Sequence, residues 1–138
     1  MKRLREENMA TMNRAEIERL HERFSAAFNR DDLDGVMEFF TEDALYVQFN
    51  GAESRGKKEI REAFEPQFRG DYGKVRFHSE DLFVDEKVAK SLARWRCTVE
   101  IGRKPYEWRG LDIYCFEDGL IKEKRTYAQA DIPLLKEI

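Results

Sequence analysis

Long apolar runs are missing from this chain: nothing approaches the roughly 18–20 residues a membrane span requires, and the charged N-terminus has no signal-peptide core. An excess of positive charge is missing too. Lys and Arg number 25 against 28 Asp and Glu, a net charge of −3, so neither a basic nucleic-acid-binding face nor an acidic tail is the expected character. Cysteine is scarce. Cys97 and Cys115 stand mid-chain in strand-like text and form neither a disulfide framework nor a CxxC metal spacing, which makes a reducing cytoplasm the expected compartment. Two lone histidines, His21 and His78, without an ordered carboxylate partner do not make a metal site; no metal and no cofactor are expected. Internal repeats, low-complexity stretches and interdomain linkers are also absent. A single domain over residues 14–131 is expected, with tails at 1–13 and 132–138.

What is present is charge and aromatic mass: 38% of the 138 residues are charged, and there are 10 Phe, 5 Tyr and 2 Trp. A chain of this length buries roughly 65–70% of its unfolded surface, enough for a real core. From Arg14 onward, Ile17, Leu20, Phe24, Ala27 and Phe28 recur at helical spacing and predict one apolar stripe. Asp31 or Asp32 can cap a short second helix carrying Leu33, Val36, Met37 and Phe40. Residues 44–49 read as a strand and Gly51 to Gly56 as a turn. A third helix carries Ile60, Ala63, Phe64 and Phe68, with Pro66 limiting its regularity.

Beyond Gly73 the helical period disappears. Strands are expected over 75–84, 89–101, 106–116 and 120–130, joined by turns at Asp85-Glu86-Lys87, Gly102 to Pro105 and Glu117-Asp118-Gly119. Helices first and antiparallel hairpins afterwards predict an α+β domain with helices on one face of a curved sheet. In 106–116, Tyr106, Trp108, Tyr114 and Phe116 share one face, while Leu111, Ile113 and Cys115 make the other apolar as well. A strand covered on both faces needs two partners, and a second subunit is the candidate for the outer one. The apolar tail Ile132-Pro133-Leu134-Leu135 is expected to dock.

One charge is out of place. Asp112 falls on the aromatic face of that strand, between Gly110 and Tyr114, where an unpaired carboxylate is costly. A carboxyl so placed can handle a proton. The structural alternative pairs it with Arg94, Arg96 or Arg125 from a neighbouring strand. Tyr46 and Gln48 share a face of the first strand and can orient a carbonyl or hydroxyl, or satisfy a core hydrogen bond. Trp95 and Trp108 read as core, as ligand stack, or as both. On the last strand either Arg125 and Tyr127 or Lys124 and Thr126 face inward, because a one-residue slip reverses the choice. His21, among Glu18, Glu22 and Arg23, reads as solvated, whereas His78 beside Phe77 is a candidate pocket acid or base. Gly51 to Lys57 satisfies GxxxxGK, but Lys58 stands where a phosphate loop needs Ser or Thr; a strand-to-helix turn is expected there.

The stretch Arg23–Val36 (RFSAAFNRDDLDGV), followed by Phe40–Ala44 (FTEDA), resembles the opening of nuclear transport factor 2-like proteins. That superfamily includes ketosteroid isomerases, SnoaL-like polyketide cyclases and limonene-epoxide hydrolases. Gly56–Ile60 (GKKEI) resembles its third-helix start and Gly110–Ile121 (GLDIYCFEDGLI) its late hairpin. The resemblance spans about residues 14–130. It implies a cone-shaped domain, about three N-terminal helices on a curved, mostly antiparallel sheet enclosing an apolar pocket, and a homodimer through the outer sheet face.

Functional positions carry across unevenly. The isomerase's oxyanion tyrosine falls on Phe24 and its general-base aspartate on Gln48, neither able to do that work. Its second aspartate, and the cyclases' acid/base aspartate, fall on Asp112. The epoxide hydrolases' tyrosine and asparagine fall on Tyr46 and Gln48, but their Arg-x-Asp pair falls on Trp95 and Cys97. A cyclase-like site with one aspartate is what remains. The expectation is thus a pocket for a small apolar carbonyl compound, with Asp112 shuttling a proton. Tyr46, Gln48, Phe24, Trp95, Trp108 and Tyr114 would bind substrate, with no nucleic acid and no membrane involved. The alternative is a ligand-binding or scaffold protein of the same fold.

Overall fold

The computed structural model describes residues 12–138; most of the expected N-terminal tail, residues 1–11, lies outside them. Helix α1 (Arg14–Asn29) starts where Asn13 Oδ1 accepts from the Glu16 amide at 2.8 Å, and its stripe of Ile17, Leu20, Phe24, Ala27 and Phe28 is buried as the spacing predicted. Helix α2 (Leu33–Met37) is capped by Asp32, whose carboxylate accepts from the Gly35 amide at 2.9 Å. A Cβ at Gly35 would press on that carboxylate, so glycine lets Asp32 take this capping position unshifted. Helix α3 (Gly56–Phe68) accommodates Pro66 in its last turn.

Six strands form one sheet: β1 (Phe40–Val47), β2 (Glu53–Arg55), β3 (Lys74–Asp85), β4 (Lys90–Ile101), β5 (Lys104–Glu117) and β6 (Leu120–Ala128). Their order is β2-β1-β6-β5-β4-β3, with β1 parallel to β6 and every other neighbour antiparallel. The 51–56 segment expected as a turn holds the short edge strand β2, where Tyr46 pairs with Ser54. β1 begins four residues earlier than its apolar text, at Phe40.

The expected cone does not form. Among the described residues the sheet is mixed and open, with β2 and β3 at its edges, and it is not strongly curled. The central ladder runs straight: β4 and β5 pair from Lys90–Cys115 to Ile101–Lys104 without a register shift, whereas β1–β6, β3–β4 and β5–β6 each carry one. Without a bulge in that central ladder, the middle of the sheet has no point at which to bend sharply.

The helices cover one face. Phe24, Phe28, Phe40 and Phe64 meet edge-on or tilted, with ring centroids 5.0 Å apart for Phe24–Phe28 and 5.3 Å for Phe28–Phe64, around fully buried Ile17, Val36, Ile60 and Ile121. The C-terminal tail does not dock on the described residues: Leu135 is 91% exposed, and Ile132 and Leu134 are also in solvent.

Candidate functional site

Between α1 and α3 on one side and the sheet on the other lies a cavity of about 390 Å³. Phe24, Phe28, Phe64, Phe77, Trp95 and Trp108 give it an aromatic wall. Into that wall the strands set a compact polar group. On β5, Asp112 and Tyr114 point inward together, two residues apart. The β5–β6 ladder sets Thr126 opposite Asp112 and Lys124 opposite Tyr114, and the parallel β1–β6 pairing sets Tyr46 beside Lys124.

Asp112 is buried and accepts four hydrogen bonds. Trp95 Nε1 donates to Oδ2 at 3.0 Å and the Tyr114 hydroxyl to the same atom at 3.1 Å. Lys124 Nζ donates to Oδ1 at 3.2 Å and the Thr126 hydroxyl at 2.5 Å. Lys124 Nζ also donates to Thr126 Oγ1 at 3.1 Å. The two charged side chains are 8% and 7% exposed, Lys124 first. Four donors fill the acceptor sites of a carboxylate. Gly110 makes part of this possible: a Cβ there would lie 2.6 Å from the Trp95 ring, which crosses the position to reach Asp112.

The partner of Asp112 is therefore a lysine and none of the three arginines weighed from the sequence. Arg94 binds Asp81, Arg96 binds Glu107 and Arg125 binds Glu123. The cause is one bulge. Phe116 pairs with Ile121 but Cys115 with Glu123, leaving Lys122 as the extra residue. Continued without that bulge, the pairing would have set Arg125 opposite Asp112. With it, Lys124 and Thr126 face inward, Arg125 sits on the outer face and Tyr127 is exposed.

Of the residues expected to bind substrate, Tyr46, Phe24, Trp95, Trp108 and Tyr114 line the cavity with Asp112. Gln48 does not. It lies past the end of β1, where its amide donates to the Ala52 carbonyl at 2.9 Å and closes the turn into β2. His78 is exposed and bonded to Thr98 Oγ1 at 3.0 Å, away from the cavity.

His21, read as solvated, is a cavity residue. It hydrogen-bonds Ser91 Oγ at 2.8 Å and meets Tyr114 edge-on at 4.6 Å. Its position was legible: 17, 21, 24 and 28 follow helical spacing, so His21 belongs to the apolar stripe. Burial lowers its pKa from 6.5 to about 4, against the pull of nearby Asp112, so the imidazole is neutral at pH 7. Burial, and then the Asp112 charge, raises Tyr114 well above a tyrosine's usual value. Burial also raises Tyr46, with Lys124 opposing it. Cys97 is pushed up to about 11 by burial and stays a thiol.

The arrangement can bind an apolar molecule and offer it hydroxyls, a neutral imidazole, an ammonium and a carboxylate at one place. Among the described residues, no group of three or more His, Cys, Asp or Glu side chains converges as a metal site, and no helix is long and apolar enough to cross a membrane.

Comparison with known proteins agrees with this architecture. A protein of unknown function with a cystatin-like fold from Methylobium petroleophilum superposes with a TM-score of 0.73 at 19% identity, over 89% of this chain and 82% of that one. PrhC from Penicillium brasilianum gives 0.73 at 25% identity, over 84% and 82%. The epoxide hydrolase/cyclase-like enzyme SalBIII, of pyran ring formation in the polyether salinomycin, gives 0.72 at 16% identity, over 81% and 89%. No curated protein matches this chain. The model of the SnoaL-like domain matches residues 21–124, from the cavity histidine to the cavity lysine. The chain belongs to the SnoaL-like domain family.

Proposed function

We propose that this protein is a cofactor-independent acid/base catalyst of the cyclase or isomerase type, acting on a small apolar carbonyl compound, with Asp112 as the group that carries the proton. One observation carries the reading: a buried carboxylate on the wall of an aromatic cavity, with hydroxyls and an ammonium beside it. A substrate proton next to a carbonyl would pass to Asp112. Two of the four donors on Asp112 are hydroxyls, Tyr114 and Thr126, and a hydroxyl can rotate to accept the new O–H. The aromatic wall would exclude water and strengthen each polar contact. The fold shared with SalBIII supports a catalytic use of this scaffold, while the chemistry of that enzyme is its own.

The test needs no known substrate. Small cyclic and aryl ketones are incubated with the protein in deuterium oxide, and deuterium uptake is followed by mass spectrometry. Wild type should exchange the protons beside the carbonyl, and Asp112→Asn should slow exchange by about 100-fold or more. Unchanged exchange in Asp112→Asn would remove the proton-carrying role.

A second reading, a ligand-binding module, is favoured by the same carboxylate having all its acceptor sites filled. Tight retention of a ketone without exchange would select it.

We also propose a homodimer through the outer sheet face. Phe83, Leu92 and Ile113 are successive cross-strand neighbours there, with Phe83 in solvent, and ion pairs such as Arg96–Glu107 surround them. Sedimentation should give twice the chain mass, and Ile113→Arg should give one.

A further inference from the structure

Among the described residues two cations line the cavity, and they differ. Arg94 is half-exposed at the mouth and spent on Asp81. Lys124 is buried inside. An ammonium carries three N–H donors. Two of those on Lys124 point to Asp112 Oδ1 and Thr126 Oγ1. Among the described residues no third protein oxygen meets it. Instead the nitrogen stands 4.7 Å from the centre of the Tyr46 ring and 5.9 Å from that of Phe64, against aromatic faces that also line the cavity. A cation over a ring is held weakly compared with one donating to an anionic oxygen.

The other groups near it leave that donor open. Asp112 is occupied on both oxygens by four donors, Lys124 among them. Tyr46 and Tyr114 are held in the hydroxyl form and His21 is neutral. Glu18, Glu22 and Asp81 belong to the solvent-facing mouth, where water screens them.

We infer that Lys124 holds the oxygen of the bound molecule through its third N–H, and that the cavity therefore selects aromatic or alicyclic compounds whose oxygen carries or gains negative charge: phenolates, and the enolates of ketones. Asp112 fixes the ammonium on its far side, and the aromatic wall holds the ring. In the reaction proposed above, the same contact would stabilise the oxygen as its neighbouring carbon loses a proton. The inference rests on the cavity being a small-molecule site, and not on Asp112 completing a proton transfer.

Two probes test it: 4-nitrophenol, whose absorbance reports its ionisation, and 4-nitroanisole, which cannot ionise. At a pH about one unit below the phenol's own pKa, wild type should bind it as the coloured phenolate, about tenfold or more tighter than the anisole. Lys124→Met should lose both the colour and the preference. Removing the lysine alone strands a buried carboxylate, so the double variant Lys124→Met with Asp112→Asn, which removes both charges, should give the same loss in a folded protein.

Equal preference in wild type and the variants overturns the inference. If ketones exchange deuterium while that preference is absent, the inference alone fails. If the preference is present without exchange, the catalytic reading alone fails. If neither probe binds wild type and no ketone exchanges, both fail.

Discussion

Asp112 was legible in the sequence because a carboxylate between Gly110 and Tyr114 breaks an aromatic strand face, and no local pairing explains it. Lys124 was not, because the direction of its side chain depends on a bulge several residues away and not on its neighbours. His21 shows a third case: its sequence neighbours are charged, but its helical neighbours are Ile17 and Phe24, and the second set decides burial. The neutral state of His21 has a thermodynamic consequence. Its folded pKa of about 4 lies below the unfolded 6.5, so between those values the unfolded chain binds the extra proton. The stability gained by keeping it neutral is complete above pH 6.5 and is lost as pH falls towards 4, by about 3 kcal/mol. His21→Leu should flatten this part of the acid unfolding profile, measured by urea titration at several pH values; an unchanged slope would mean the ring is solvated. At Gly110, alanine would press on the Trp95 ring and the Tyr127 carbonyl. Gly110→Ala should cost about 2 kcal/mol in urea unfolding and alter the near-ultraviolet signal of Trp95.

Among the elements, α1, α3 and β4 followed from periodicity, since each buries one stripe or face. The short pieces did not. β2 has three residues and gains its place by pairing with β1, which no local pattern announces. The β5–β6 hairpin is the element on which the site depends. Its bulge places Lys122 as the unpaired residue, between inward Ile121 and outward Glu123. Deleting Lys122 would leave Ile121 and Glu123 alternating regularly, with Lys124 and Thr126 still inward. The deletion variant should therefore fold and keep the phenolate preference, losing only exposed contacts to Glu117 and Asp43. Loss of that preference in a folded deletion variant would contradict the assigned role of the bulge.

Across the whole molecule, the α+β class and helix-then-hairpin order were readable, whereas the shape implied by family resemblance was not. The unbroken β4–β5 ladder keeps the middle of the sheet open, and helices laid across the sheet wall the cavity. The site thus joins three levels: aromatic bulk from the helix stripes, register from one bulge, and the buried Lys124–Asp112 ion pair. The central claim is that Asp112 in this cavity moves a proton, and deuterium exchange into a bound ketone measures that directly. Wild type should incorporate deuterium beside the carbonyl and Asp112→Asn should lose about 100-fold in rate while still binding the ketone. Equal rates in the two proteins would contradict the account.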